Sequence, residues 1–301
     1  MVSNLLLGGL GILAVIFAVY FVRDILAHRG ELEKGTNGLL SALIGFGINF
    51  LDTLGIGSFA LGLALYKSLH QVDDRKIPGT LNVSCVPPVI AEACFFISAV
   101  QVEPLTLAAM LVSATLGAWI GAGAVSKLSK QKVQLFMGIA LVVIGVVIVC
   151  QTVGLVPGKG EAIGLHGVKL IIAVVINFFL GAIMTLGVGL YAPCFALVSL
   201  LGMDPKVAFP IMMGSCAYLM PVASIRFIKE GMYNRKMSLF AVIPSVIGVF
   251  IASRLVLGLS HEVLSIVIVI VMAYSALSMF YSLYKEKKAG ETEAEGGEKK
   301  V

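Results

Sequence analysis

Charge is what this chain has least of. Only 13% of its 301 residues are Asp, Glu, Lys or Arg, 58% are hydrophobic, and the mean hydropathy is +1.00. About a quarter of a soluble domain is charged, so the composition excludes that class. Cysteine occurs five times (Cys85, Cys94, Cys150, Cys194 and Cys216), always inside an apolar stretch and never as a Cys-x-x-Cys pair. That excludes a disulfide framework or a spaced metal site and leaves small buried hydrophobes. No His-Glu-x-x-His run occurs, and His28, His70, His166 and His261 fall in loops or at segment ends. No cofactor and no metal is signalled. The formal charge of +5 is no footprint for nucleic acid, because the basic residues alternate with apolar spans.

What the chain has is a series of apolar segments long enough for a bilayer. Residues 5–22 are uncharged up to Arg23, with no basic residue before them, and read as a retained helix rather than a signal peptide. A polar cytoplasmic loop completes 1–36. One octet then occurs twice. Thr53-Leu54-Gly55-Ile56-Gly57-Ser58-Phe59-Ala60 returns as Thr185-Leu186-Gly187-Val188-Gly189-Leu190-Tyr191-Ala192, 132 residues later and with five of eight positions identical. Paired glycines inside an apolar run are poor helix formers. Each copy is expected to end one membrane helix and start a shorter one, over 58–69 and 190–201, with a helix N-terminus inside the membrane.

This duplication divides the chain into repeat 1 over 37–151, a turn-rich connector over 152–167 with Pro157-Gly158, repeat 2 over 168–284, and a tail over 285–301. The tail balances five Lys against five Glu and is expected to be disordered and cytoplasmic. Each repeat reads as a Gly-broken hairpin followed by three transmembrane helices. If each hairpin returns to its starting side, 18 of the 22 Lys and Arg fall on one side, as the positive-inside bias requires. A single crossing by each hairpin would erase that bias. The expected fold is an all-α polytopic plasma-membrane protein with an outside N-terminus, a cytoplasmic C-terminus and two inverted repeats, the construction of secondary transporters.

At these residues the chain resembles the sulfite exporter TauE/SafE family. The resemblance is carried by Gly45-Phe46-Gly47, Gly55-Ile56-Gly57 and Gly187-Val188-Gly189, by Pro78-Gly79-Thr80, and by Asp204-Pro205-Lys206 with Gly214-Ser215, and covers roughly residues 37–284. It implies transport of sulfur-containing anions such as sulfite, thiosulfate or small organosulfonates. The chain departs from its own repeat at Asp52, where repeat 2 has Met184.

Two half-helix N-termini meeting at one point suit an anion without burying a Lys or Arg. The expected substrate-binding residues are Thr53, Gly55, Gly57, Ser58 and Phe59 with Thr185, Gly187, Gly189, Leu190 and Tyr191; the glycines could instead serve only close helix crossing. Pro193 fits the first turn of the second short helix. Asp52 and Glu92 are the two acids well inside apolar segments and are expected to carry protons, Asp52 alternatively capping the break. Asn49, one turn from Asp52, and Asn82, Ser84, Ser215 and Tyr218 are expected along the same cavity or in interhelical hydrogen bonds. Arg254 is expected to snorkel to the interface, and Gly117-Ala118-Trp119-Ile120-Gly121 offers a GxxxG face for helix packing or a homodimer. A passive anion channel is the nearer alternative to a transporter. An intramembrane hydrolase fares worse, because Ser58 has no histidine base in its segment.

Overall fold

The computed structural model describes residues 2–125, 160–184 and 189–260, with further separate positions between 131 and 150 and between 263 and 284. Residues 152–159 of the connector, Thr185–Val188 and the tail lie outside the described residues. Among the described residues the fold is all-helical, with no strand and one isolated bridge between Ala162 and Met203. The helices are α1 (Val2–Ala27), α2 (Gly38–Thr53), α3 (Ser58–Ser68), α4 (Ile77–Ala99), α5 (Pro104–Val125), α6 (Gly167–Met184), α7 (Tyr191–Leu200), α8 (Ala208–Lys229) and α9 (Arg235–Gly258). Among the described residues, five stretches are long and apolar enough to cross a membrane: Ser3–Ala27, Ile77–Ala99, Gly167–Met184, Pro205–Lys229 and Arg235–Gly258.

The starts of these helices are written locally. Asn37 accepts a hydrogen bond from the Leu40 amide to cap α2, and Asn234 accepts from the Met237 amide to cap α9. Asp204 does the same for the short 3-10 turn Pro205–Val207 that leads into α8. Each side-chain oxygen takes one of the amides that a helix start leaves unpaired. The first helix runs further than its uncharged stretch, through Arg23 and Asp24 to Ala27. Its acid is paired: Arg235 Nε donates to Asp24 Oδ2 at 2.7 Å and the Tyr233 hydroxyl donates to it at 2.5 Å.

One end of the bundle is basic. The Asn37 amide donates to Gln71 Oε1 at 2.9 Å, and Asn234 Nδ2 donates to Thr36 Oγ1 at 2.8 Å. The Asn234 amide donates to Thr80 Oγ1, and Lys76 pairs with Glu33. The start of α2, the end of α3, the start of α4 and the start of α9 therefore meet at that end. At the other end the Glu103 amide donates to the Ile163 carbonyl, the Asp204 amide to the Ala162 carbonyl, and Lys169 Nζ to the Leu201 carbonyl. The start of α6 and the end of α7 meet there. The ends of the first hairpin thus meet in one cluster of loops and those of the second in another.

The long helices pair reciprocally. α2 packs on α9 and α6 packs on α5, while α4 and α8 cross each other at the centre. α4 and α8 are mostly buried inside the protein, whereas α1 is mostly exposed and lies at the periphery. At the α5–α6 contact the backbones touch. A Cβ on Gly181 would strike the Ala114 carbonyl, and one on Gly117 the Phe178 carbonyl. The first glycine of the GxxxG run therefore faces α6 of the same chain. A side chain at either position forces the helices apart, at about 1–3 kcal/mol for overpacking. Gly181→Ala is expected to lower the midpoint of thermal unfolding in detergent by several degrees. Gly47→Ala, where a Cβ would meet nothing within 4 Å, should leave it unchanged.

Candidate functional site

The site is built at the first glycine pair. Helix α2 closes at Thr53, and the Gly55 amide bonds the Asp52 carbonyl at 2.7 Å while the Ile56 amide bonds the Leu51 carbonyl at 3.2 Å. This is a Schellman closure, which needs a left-handed residue. Gly55 supplies it with a φ of +97°. Gly57, at φ +86°, then occupies the N-cap position of α3. A glycine there brings no side-chain oxygen, so the first amide of α3 needs another acceptor. Asp52 Oδ1 provides it, accepting from the Ser58 amide at 2.5 Å across the break. The acid is 2% exposed, and the expectation of an aspartate capping the break is met in this geometry.

At the second break the position matching Asp52 is Met184. Met184 ends α6, and α7 starts at Tyr191, with no side-chain cap on Leu190. Thr185 and Gly187, two of the expected binding residues, lie outside the described residues. Pro193 sits at the third position of α7, in the first turn, where its missing amide costs nothing.

Glu92, on α4, joins the two breaks. Thr53 Oγ1 lies 2.6 Å from Glu92 Oε1 and the Tyr191 hydroxyl 3.1 Å from Glu92 Oε2. One carboxyl thus holds the last residue of α2 and the first residue of α7. Thr53 Oγ1 is also 2.8 Å from the Asn49 carbonyl, so its single proton has two acceptors. A protonated Glu92 would donate to Thr53 and let Thr53 donate to Asn49; an ionised Glu92 would accept from both hydroxyls. The same positions serve either charge state, which suits a group that takes up and releases a proton.

A cavity of about 1070 Å³ lies against both breaks. Its wall includes Asp52, Gly55, Gly57, Ser58 and Phe59 from the first hairpin and Gly189, Leu190 and Tyr191 from the second. Met184, Cys216 and Thr115 join them, and Ile77, Pro78, Asn82, Arg226 and Phe227 extend the wall to the basic end. The short legs α3 and α7 have 11 and 10 residues, so each is about 15 Å long, half of a hydrocarbon core.

Several candidate residues stand elsewhere. Asn82 lines the cavity, with its amide held by the Pro78 carbonyl at 2.9 Å. Asn49 is fully buried behind α2, donating to the Gly45 carbonyl and to Ser245 Oγ on α9. Ser84 faces the Tyr66 hydroxyl, Ser215 donates to the Ile211 carbonyl, and Tyr218 donates to the Leu6 carbonyl on α1. Asn49, Ser84 and Tyr218 tie helices together, Ser215 bonds within its own helix, and all four stand away from the wall. Arg254 lies over the Phe250 ring, 4.6 Å from its centre. Two residues that the sequence does not single out as site candidates also line the wall: Arg226, and Cys216, whose thiol is 3.6 Å from Met184 Sδ. Among the described residues no cluster of three or more metal-ligating side chains occurs.

A family model described as "Sulfite exporter TauE/SafE" matches residues 1–148 and 170–300. The chain belongs to that family. No curated protein sequence and no solved structure matches it.

The cap at the break separates the roles of Asp52. Asp52→Asn keeps an oxygen for the Ser58 amide and should leave thermal stability within about 0.5 kcal/mol of the parent. Asp52→Ala removes the cap and should cost about 1 kcal/mol or more. Equal unfolding midpoints for the two variants in detergent would contradict the capping assignment.

Proposed function

We propose that this TauE/SafE family member is a proton-linked secondary transporter of a small sulfur-containing anion such as sulfite, thiosulfate or an organosulfonate. The observation that carries this reading is one cavity walled by both helix breaks, with a single carboxyl spanning them. The anion is held near the membrane midplane, at the starts of α3 and α7, by amides other than the Ser58 amide that Asp52 caps and by the hydroxyl of Ser58. A half-helix N-terminus offers about half a positive charge, enough to replace part of an anion's hydration without an embedded lysine.

Two further features support the inverted-repeat architecture behind this reading. The ends of the two hairpins meet in separate clusters of loops, and their partner helices pair reciprocally. The basic end is assigned to the cytoplasm by the positive-inside bias. That orientation puts the N-terminus outside and fits a multi-pass protein of the plasma membrane.

Asp52 and Glu92 give the coupling its chemistry. An ionised Asp52 on the wall repels a second anion, and a proton on it removes that repulsion. A proton on Glu92 changes which of its two hydroxyl partners donates and which accepts. Anion and proton are thereby drawn into the same step. A passive channel would need neither acid.

Flux in proteoliposomes tests this. Wild-type protein should accumulate radiolabelled sulfite or thiosulfate when a proton gradient is imposed and lose most of that uptake when it is collapsed. Asp52→Asn and Glu92→Gln should each lower gradient-driven uptake at least about tenfold, while sulfite near 100 times its Kd still stabilises the protein by about 2.7 kcal/mol in a thermal-shift assay. Uptake that ignores both the gradient and the two substitutions would mark a channel.

A further inference from the structure

Arg226 is the one Lys or Arg among the described residues of the cavity wall. It stands in the last turn of α8, toward the basic end, with its side chain 82% exposed. Below it the same face of α8 carries Ala223, Met220 and Cys216 along the wall, at the three- and four-residue spacing of one helical stripe. Ten residues separate Arg226 from Cys216, about 15 Å of helix. The stripe therefore leads from an exposed cation at the basic end to the second break.

One acid holds that cation. Arg226 Nε donates to Glu230 Oε1 at 2.8 Å, and among the described residues its Nη groups have no further partner. Helix energetics do not explain Glu230. An acid at the C-terminal end of α8 has the wrong sign for the helix dipole. The arginine-then-glutamate order is also the weaker orientation of an i,i+4 pair. The placement makes sense where the carboxylate acts on what the guanidinium binds.

We propose that Arg226 collects the anion at the basic mouth of the cavity, and that Glu230 is a built-in competitor that keeps this capture weak enough to release. The free Nη donors present a fork that fits an oxyanion in a bidentate manner. Glu230 lowers the net charge that the anion meets, and a weakly held first site hands its cargo on toward the breaks. Both residues are solvent-facing, so salt screens their action. This assignment rests on the transport reading above.

The test is the initial rate of radiolabelled sulfite or thiosulfate flux against concentration, in proteoliposomes selected for the orientation that presents the basic end outward. Arg226→Gln should raise KM about three- to tenfold with kcat within about twofold, as expected for one exposed charge. Arg226→Lys should recover part of that loss. Glu230→Gln should lower KM about two- to threefold. Wild-type KM should rise with ionic strength, and Arg226→Gln should flatten that dependence. If wild-type protein carries the anion but Arg226→Gln leaves KM and its salt dependence unchanged, Arg226 is an interfacial anchor to lipid headgroups and the proposal fails. A loss confined to kcat would also overturn it. If wild-type protein carries no sulfite or thiosulfate at all, the transport reading falls first and this one with it.

Discussion

A helix that ends inside a bilayer must satisfy its own amides and carbonyls, because no water is there to do so. The rest of this protein depends on how that constraint is met at Gly55–Gly57. Two glycines with positive φ close α2 and turn the chain. The side chain of Asp52 then reaches across the gap to the first amide of α3. A backbone discontinuity that would otherwise cost several kcal/mol per orphaned group becomes a stable feature. The acid that makes it stable also faces the cavity, so its charge and its structural role cannot be separated by position.

Glu92 extends the same logic from one hairpin to two. Its carboxyl is fully buried, and its partners Thr53 and Tyr191 belong to different breaks. Buried ionisable groups are expensive and persist where their hydrogen bonds are complete. Here the bonds also define a mechanical relation. Through that one carboxyl the end of α2 and the start of α7 are tied to the same residue of α4. The remaining polar contacts of the long helices, such as Asn49 to Ser245 and Asn177 to the Met110 carbonyl, hold the scaffold around this joint without touching the cavity.

The distribution of charge serves the same arrangement at larger scale. The loops around Glu33, Lys76, Asn234 and Arg235 are knitted into one basic end, while the loops around Glu103, Ala162 and Lys169 form the other. Close backbone contact at Gly181 and Gly117 keeps α5 and α6 together, and the α2–α9 pair is joined through Asn49 and Ser245. The crossing of α4 and α8 lies between these two pairs. Membership of a sulfite exporter family fits a molecule whose middle holds helix ends rather than fixed cations.

Composition and the 132-residue repeat were enough to read the membrane class, the first glycine break, the two short helices and the two buried acids, because each is a local matter of apolar length, backbone entropy or isolated charge. The side on which each hairpin closes could be argued from basic residues alone, since that bias acts on loops near the spans. Partnership was another matter. Thr53 and Tyr191 read as candidate substrate ligands, and in the fold their hydroxyls meet Glu92; Ser84, Ser215 and Tyr218 read as polar positions, and packing turned them away from the cavity. Arg226 looked like one loop charge among several until α8 carried it onto the wall. A sequence states which groups are costly to bury. Only the packing of helices distant in the chain decides which group satisfies which.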